Sequence, residues 1–119
     1  MKSYIKLYGP SVMKGLRALE KVAAEMPECS FWHAAMPMTL SYMGYDDSAH
    51  DEFFARWGYT GAQRERLHRM ISKSGHTLGD YDFFFEWHTD PTWEQIQTLI
   101  EKTDEALKDT GCTYTITTK

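Results

Sequence analysis

Cysteine is nearly absent from this sequence, with two residues in 119, and proline is sparse, with four. The two thiols, Cys29 and Cys112, are too few for a disulfide framework or a cysteine-built zinc site, and their spacing matches no redox motif. Apolar runs stay far short of the roughly 20 residues that cross a bilayer. The opening Met1-Lys2-Ser3-Tyr4-Ile5-Lys6 has no apolar core of a secretory leader. Basic charge is in deficit, 13 Lys+Arg against 17 Asp+Glu for a net −4, which argues against nucleic-acid binding through bulk charge. A Gly-rich phosphate loop is missing, which excludes P-loop nucleotide chemistry, and no histidine pair forms His-Glu-x-x-His. The remainder is the make-up of one globular domain spanning 1–119, 42% hydrophobic and 25% charged, expected to be cytoplasmic with neither membrane nor nucleic acid as partner.

Aromatic residues, by contrast, are abundant at 14%, enough for a heavy core or a face that meets something else. Tyr4 to Tyr8 alternates as a strand and stops at Gly9-Pro10. Pro10 and Ser11 compete to open a helix on which Val12, Leu16, Leu19, Ala23 and Met26 form one apolar stripe, closed by Pro27. Cys29 to Ala35 reads as a second strand. Tyr81 to Trp87 (Tyr-Asp-Phe-Phe-Phe-Glu-Trp) is the strongest strand in the chain. Asp90-Pro91 offers a cap and a first helical proline. Trp93, Ile96, Ile100, Thr103 and Leu107 then share a stripe up to Gly111, and threonine-rich Cys112 to Thr117 is a fourth strand.

Strand–helix–strand, an insertion, then strand–helix–strand is the ferredoxin-like split βαβ plan, an α+β sandwich with a four-stranded antiparallel sheet. The resemblance is one of plan, with no family motif behind it. The insertion, 39–79, carries two capping-box patterns. Ser48/Asp51 opens a short helix through Phe53, Phe54 and Trp57. Thr60/Gln63 opens another through Leu67, Met70 and Ile71, ending near Gly75.

Two helices on one face of a sheet leave the other face open. Strand alternation places Tyr81, Phe83, Phe85 and Trp87 under the helices and Phe84, Glu86 and His88 on the open face, joined there by Tyr4, Lys6 and Tyr8. A carboxylate, an imidazole and an amine on one rigid surface suit acid–base chemistry, so His88, Glu86 and Lys6 are the catalytic candidates. A plain Lys6–Glu86 charge pair on a half-wet face accounts for the same residues. Tyr4, Tyr8, Phe84, His33 and Trp57 are candidate ligand contacts. Arg66 and Arg69, one face of a basic insertion helix, would take a phosphate or carboxylate, or simply face water.

Trp32-His33 and Trp87-His88 would meet at one end of the sheet if the second and third strands pair. With Glu86 they would then offer zinc or iron a ligand set; no metal or cofactor is assigned. Met36, Met38 and Met43 read as packing at a turn or pocket, not as a copper site. Cys29 and Cys112 each begin an edge strand, on opposite sides of the sheet, so no disulfide between them is expected.

The leading functional expectation is an oligomeric ligand-binding or accessory protein, with a pocket between the open sheet face and the insertion. One alternative is a cofactor-independent enzyme of the dimeric-barrel type, using His88 and Glu86 on an apolar small molecule. The other is a subunit docking into a larger complex through Phe53, Phe54 and Trp57. A homo-oligomer is expected through the open face or the sheet edges.

Overall fold

The first strand, β1, begins two residues before the alternation suggested and runs Lys2–Tyr8 in the computed structural model, which describes residues 1–36 and 70–119. Ser11 is the cap of α1 (Val12–Ala24), its hydroxyl accepting the Lys14 N–H at 3.4 Å. Leu16, Leu19, Val22 and Ala23 are buried beneath it. Gly15 lets the helix lie directly on β1, because a Cβ there would stand 2.9 Å from Leu7 Cδ1. Next come β2 (Cys29–His33), β3 (Phe83–Trp87), α2 (Trp93–Leu107) and β4 (Thr113–Thr118).

The cap of α2 is Thr92, not Asp90-Pro91. Its hydroxyl accepts from Gln95 N–H at 3.1 Å while the Gln95 side chain accepts from Thr92 N–H at 2.9 Å. This reciprocal box satisfies two amide groups that Asp90-Pro91 would leave bare. The buried stripe of α2 also differs from the expected one. It runs through Leu99, Thr103 and Leu107, with Ile100 half-buried, while Trp93 is 70% exposed. A stripe centred on Leu99 turns the first-turn Trp93 off the side of the core.

The strands form one sheet in the order β2-β3-β1-β4, every neighbouring pair antiparallel. Together with the two helices this makes an α+β fold in which β1 and β3 are central. The registers Ile5↔Phe83, Phe31↔Phe85 and Ile5↔Ile116 fix the faces. Ser3, Ile5 and Leu7, Cys29, Phe31 and His33, and Phe83, Phe85 and Trp87 lie under the helices. Across this layer Trp87 Nε1 donates to Ser3 Oγ at 2.9 Å, and Ser3 Oγ stands 2.7 Å from Thr118 Oγ1.

The second face is not the open surface that two helices on one side would leave. Tyr4, Trp32 and Phe84 on it are buried, Phe84 completely. The chain returning toward β3 supplies cover: Gly75 sits against the Trp32 indole, and the Tyr81 ring lies 4.8 Å from that of Tyr4. Tyr81 therefore belongs to the second face and not beneath the helices. The cause is local. The Asp82 carboxylate accepts the Leu7 N–H at 2.7 Å, and the chain leaves strand alternation there, so β3 starts only at Phe83.

The same returning segment closes the outer edge of β2. Phe31 N–H donates to Met70 O and Ser72 N–H to Phe31 O, both at 2.8 Å, in a parallel bridge between Phe31 and Ile71. Met70 and Ile71, which the periodicity placed on a helix, are thus drawn into sheet pairing, where main-chain bonds to an open edge replace the helical ones. Gly75 opens a short 3-10 turn, Gly75–Thr77, where it was expected to end a helix. The two helices expected around Phe53, Phe54, Trp57 and Leu67 lie outside the described residues. Among the described residues no helix is long and apolar enough to cross a membrane.

Candidate functional site

The polar residues of the second face gather at its two ends. At one end the β1–β3 register sets Lys2 opposite Glu86, and the β2–β3 register sets Ser30 opposite the same Glu86. Glu86 Oε2 stands 3.7 Å from Lys2 Nζ, and Oε1 accepts from the buried Ser72 hydroxyl at 2.8 Å. Ser72 in turn accepts the Ser74 N–H at 3.0 Å. His88, exposed just beyond β3, places Nε2 2.9 Å from Ser30 Oγ. Lys2, Ser30, Ser72, Glu86 and His88 thus form one half-buried polar group at the rim of an aromatic layer. It holds a carboxylate oriented from both sides beside an imidazole–hydroxyl pair.

His88 and Glu86 both neighbour Ser30, the one through its hydroxyl and the other across the strand register, but Lys6 does not join them. It lies four residues along β1 from Lys2 and is held at the opposite end, its ammonium donating to Asp80 O at 2.9 Å and standing 3.7 Å from Asp82 Oδ2. Cross-strand pairing decides this: the register gives Glu86 to Lys2. Tyr4 and Phe84 are buried in the covered layer, and Tyr8 is half-exposed beyond it. Trp57, Arg66 and Arg69 lie outside the described residues.

His33 is on the other face altogether. Its register partner is Phe83, under the helices, and it is fully buried with its Nε2 2.6 Å from Glu20 Oε1 of α1. Ala35 N–H donates to its Nδ1 at 3.2 Å, so the ring proton is on Nε2 and goes to the carboxylate. Since Cys29 pairs with Trp87 and His33 with Phe83, His33 and His88 stand at opposite ends of β2 and on opposite faces. The pair does not converge, and the His33/His88/Glu86 metal set is not assembled. Among the described residues no cluster of three metal-ligating side chains occurs.

Three members of the rim were not singled out from sequence. Lys2 carries a signal, since it continues the Tyr4-Lys6-Tyr8 alternation by one step. Ser30 alternates with Trp32 in the same way. Ser72 has none, because its place depends on the chain returning along β2.

Both cysteines are free thiols and buried, one at each outer strand. Burial, with a smaller contribution from the Glu28 charge, pushes the Cys29 thiol up to about 12. Native protein at pH 8 is therefore expected to leave Cys29 unmodified by a thiol reagent that labels it fully in urea. Because the folded value stands above the ordinary 9.0, the contribution to stability is complete below pH 9. It fades as pH rises toward 12, since the unfolded chain gives up the proton first. The alkaline fall in melting temperature should be shallower in Cys29→Ala; an unchanged slope would assign it to another group.

Compared with protein-family models, curated proteins and solved structures, the chain matches none.

Proposed function

We propose that this chain is a small ligand-binding or accessory domain built on the ferredoxin-like split βαβ plan, with its site at the Lys2–His88 rim of the second sheet face. The strand order, with β1 and β3 inside and antiparallel neighbours throughout, supports that plan. The observation that carries the functional reading is the double anchoring of Glu86 by Ser72 and Lys2, beside the Ser30–His88 pair. A fixed carboxylate, an ammonium and an imidazole at the edge of an aromatic layer suit a small polar molecule that donates to Glu86 and accepts from Lys2 or His88. The buried middle of this face favours a site at the rim over a dimeric barrel closed across bare sheet.

The test is a melting series with small amines, hydroxy acids and amino acids, followed by chemical-shift mapping. A true ligand raises stability with concentration, by about 2.7 kcal/mol at 100 times its Kd. It should also shift the resonances of Ser30, Glu86 and His88. Glu86→Gln and His88→Ala should abolish the effect while leaving the ligand-free melting temperature within a few degrees. A ligand that binds both variants unchanged would place the site elsewhere.

The Ser30–His88 contact favours a second reading, acid–base catalysis at the same rim. Its signature is turnover of the bound compound that His88→Ala removes without loss of binding. Docking through Phe53, Phe54 and Trp57 stays a proposal on residues outside those described.

A further inference from the structure

The two outer strands of the sheet are not equivalent. The edge of β2 is taken up by Met70–Ser72, whereas among the described residues nothing pairs with the outer edge of β4. Lys2 and Lys119 exchange both main-chain bonds, at 3.0 and 2.9 Å. Antiparallel ladders alternate, so Thr117, Thr115 and Thr113 also turn their amides and carbonyls toward β1. The N–H and C=O groups of Tyr114, Ile116 and Thr118 therefore point outward. The six residues Thr113–Thr118 contain no proline, no charge and no bulge, the usual devices that keep such an edge single.

The flank of α2 above this edge carries two apolar side chains, Trp93 and Ile100, among the exposed polar residues Gln97, Asp104 and Lys108. Tyr114 donates its hydroxyl to Asp104 Oδ1 at 2.6 Å, which fixes this side of α2 over β4, while Lys102 faces α1 and reaches Glu25 at 3.3 Å. One turn of helix and two residues of strand advance by similar distances, roughly 5–7 Å. Ile100, one turn before Asp104, therefore lies above Ile116, and both are half-buried. Trp93, 70% exposed, shares that side of the helix.

We infer that this edge and flank form a self-association surface, closed by a second copy of the chain through antiparallel β4–β4 pairing centred on Ile116. A two-fold axis perpendicular to the sheet keeps each face on its own side, so even-numbered residues must oppose even-numbered ones. Centring on Ile116 sets Tyr114 opposite Thr118 of the second copy and gives every outward main-chain group a partner. The same axis brings Ile100 against its own counterpart. It also lays Lys108, whose ammonium stands 2.6 Å from Glu105 of its own helix, within reach of Trp93 and Glu94 of the other α2, so that the cation can be shared with a second carboxylate and a ring. Two four-stranded sheets would join into one, leaving the Lys2–His88 rims free at the far sides.

Sedimentation velocity from the low micromolar to the millimolar range, with amide exchange at both extremes, tests this. The wild-type chain should dimerise with rising concentration, and Tyr114, Ile116 and Thr118 amides should gain protection only in the dimer. Trp93→Glu and Ile100→Glu should each weaken the dimer at least about tenfold. A chain that stays monomeric at millimolar concentration would overturn the inference. So would a dimer in which those three amides exchange as fast as in the monomer, a readout that holds even if a variant folds poorly.

Discussion

Alanine at His33 is expected to lower the unfolding free energy by about 3–5 kcal/mol, the cost of stranding a buried carboxylate without its partner. Glu20 and His33 are both fully buried, and their contact is 2.6 Å long. Glu20 Oε2 has no hydrogen-bond partner among the described residues, so removal of the ring leaves the carboxylate with little to hold it. Glu20→Ala should cost less, about 1–3 kcal/mol, because it removes the acceptor of one hydrogen bond and leaves no buried carboxylate behind. The pairing itself is replaceable. His33 lies in a stack with Phe31 and Phe83, ring centroids 6.4 and 5.5 Å away, a setting that suits phenylalanine. The double variant Glu20→Leu/His33→Phe should recover most of the loss, since apolar replacement of a buried pair is often neutral or better. Urea unfolding followed by tryptophan fluorescence measures all three. A cost below about 1 kcal/mol for His33→Ala would mean that the carboxylate is satisfied some other way.

Gly75→Ala is the second large effect. A Cβ at this position would stand 2.5 Å from Trp32 Cε2, 2.7 Å from Cδ2 and 2.9 Å from Nε1. The indole cannot step aside, because Trp32 is 1% exposed and enclosed in the core. Overpacking of this kind costs about 1–3 kcal/mol. The damage should be local: acrylamide should quench Trp32 more strongly, and amides of 70–82 should exchange faster while β1 and β4 stay protected. Gly79→Ala is the control. Its backbone is left-handed at φ +61° with no atom within 4 Å of the new methyl group. It should cost only the backbone term, about 1–2 kcal/mol, and leave Trp32 shielded.

Much of this arrangement was legible in the sequence, because strands and helices write their periods into it. The alternation through Tyr4-Lys6-Tyr8 and Phe84-Glu86 matches the register that pairs Tyr4 with Phe84 on the second face. Glu20 carried a readable signal as well. It falls four residues after Leu16 and three before Ala23, on the apolar stripe, where a carboxylate must find a partner. Its partner lies thirteen residues on, where Cys29-Phe31-His33 alternates onto the helix face, whereas the shared tryptophan neighbour ties His33 to His88 only by pattern. Other features depend on where distant segments land. The choice of Thr92 over Asp90 as a cap reflects how the chain leaves β3, tied by the His88 N–H donating to Glu28 O at 3.0 Å. Cover over Trp32 and Tyr4 comes from a return path that no local pattern encodes.

The run Phe83-Phe84-Phe85 has all three rings completely buried, two against the helices and one on the second face. Such a strand offers nearly the same side chain to either layer, so hydrophobicity alone would let it slide by one residue or settle upside down. The flanking acids prevent that. Asp82 is keyed to the Leu7 amide at 2.7 Å, and Glu86 is keyed to Lys2 and Ser72. A slip of one position would drive both carboxylates toward the helices, where the Ile5 and Leu7 side chains offer them nothing. The two charges at the ends of the strand act as its ruler, and the rings between them are free to be interchangeable.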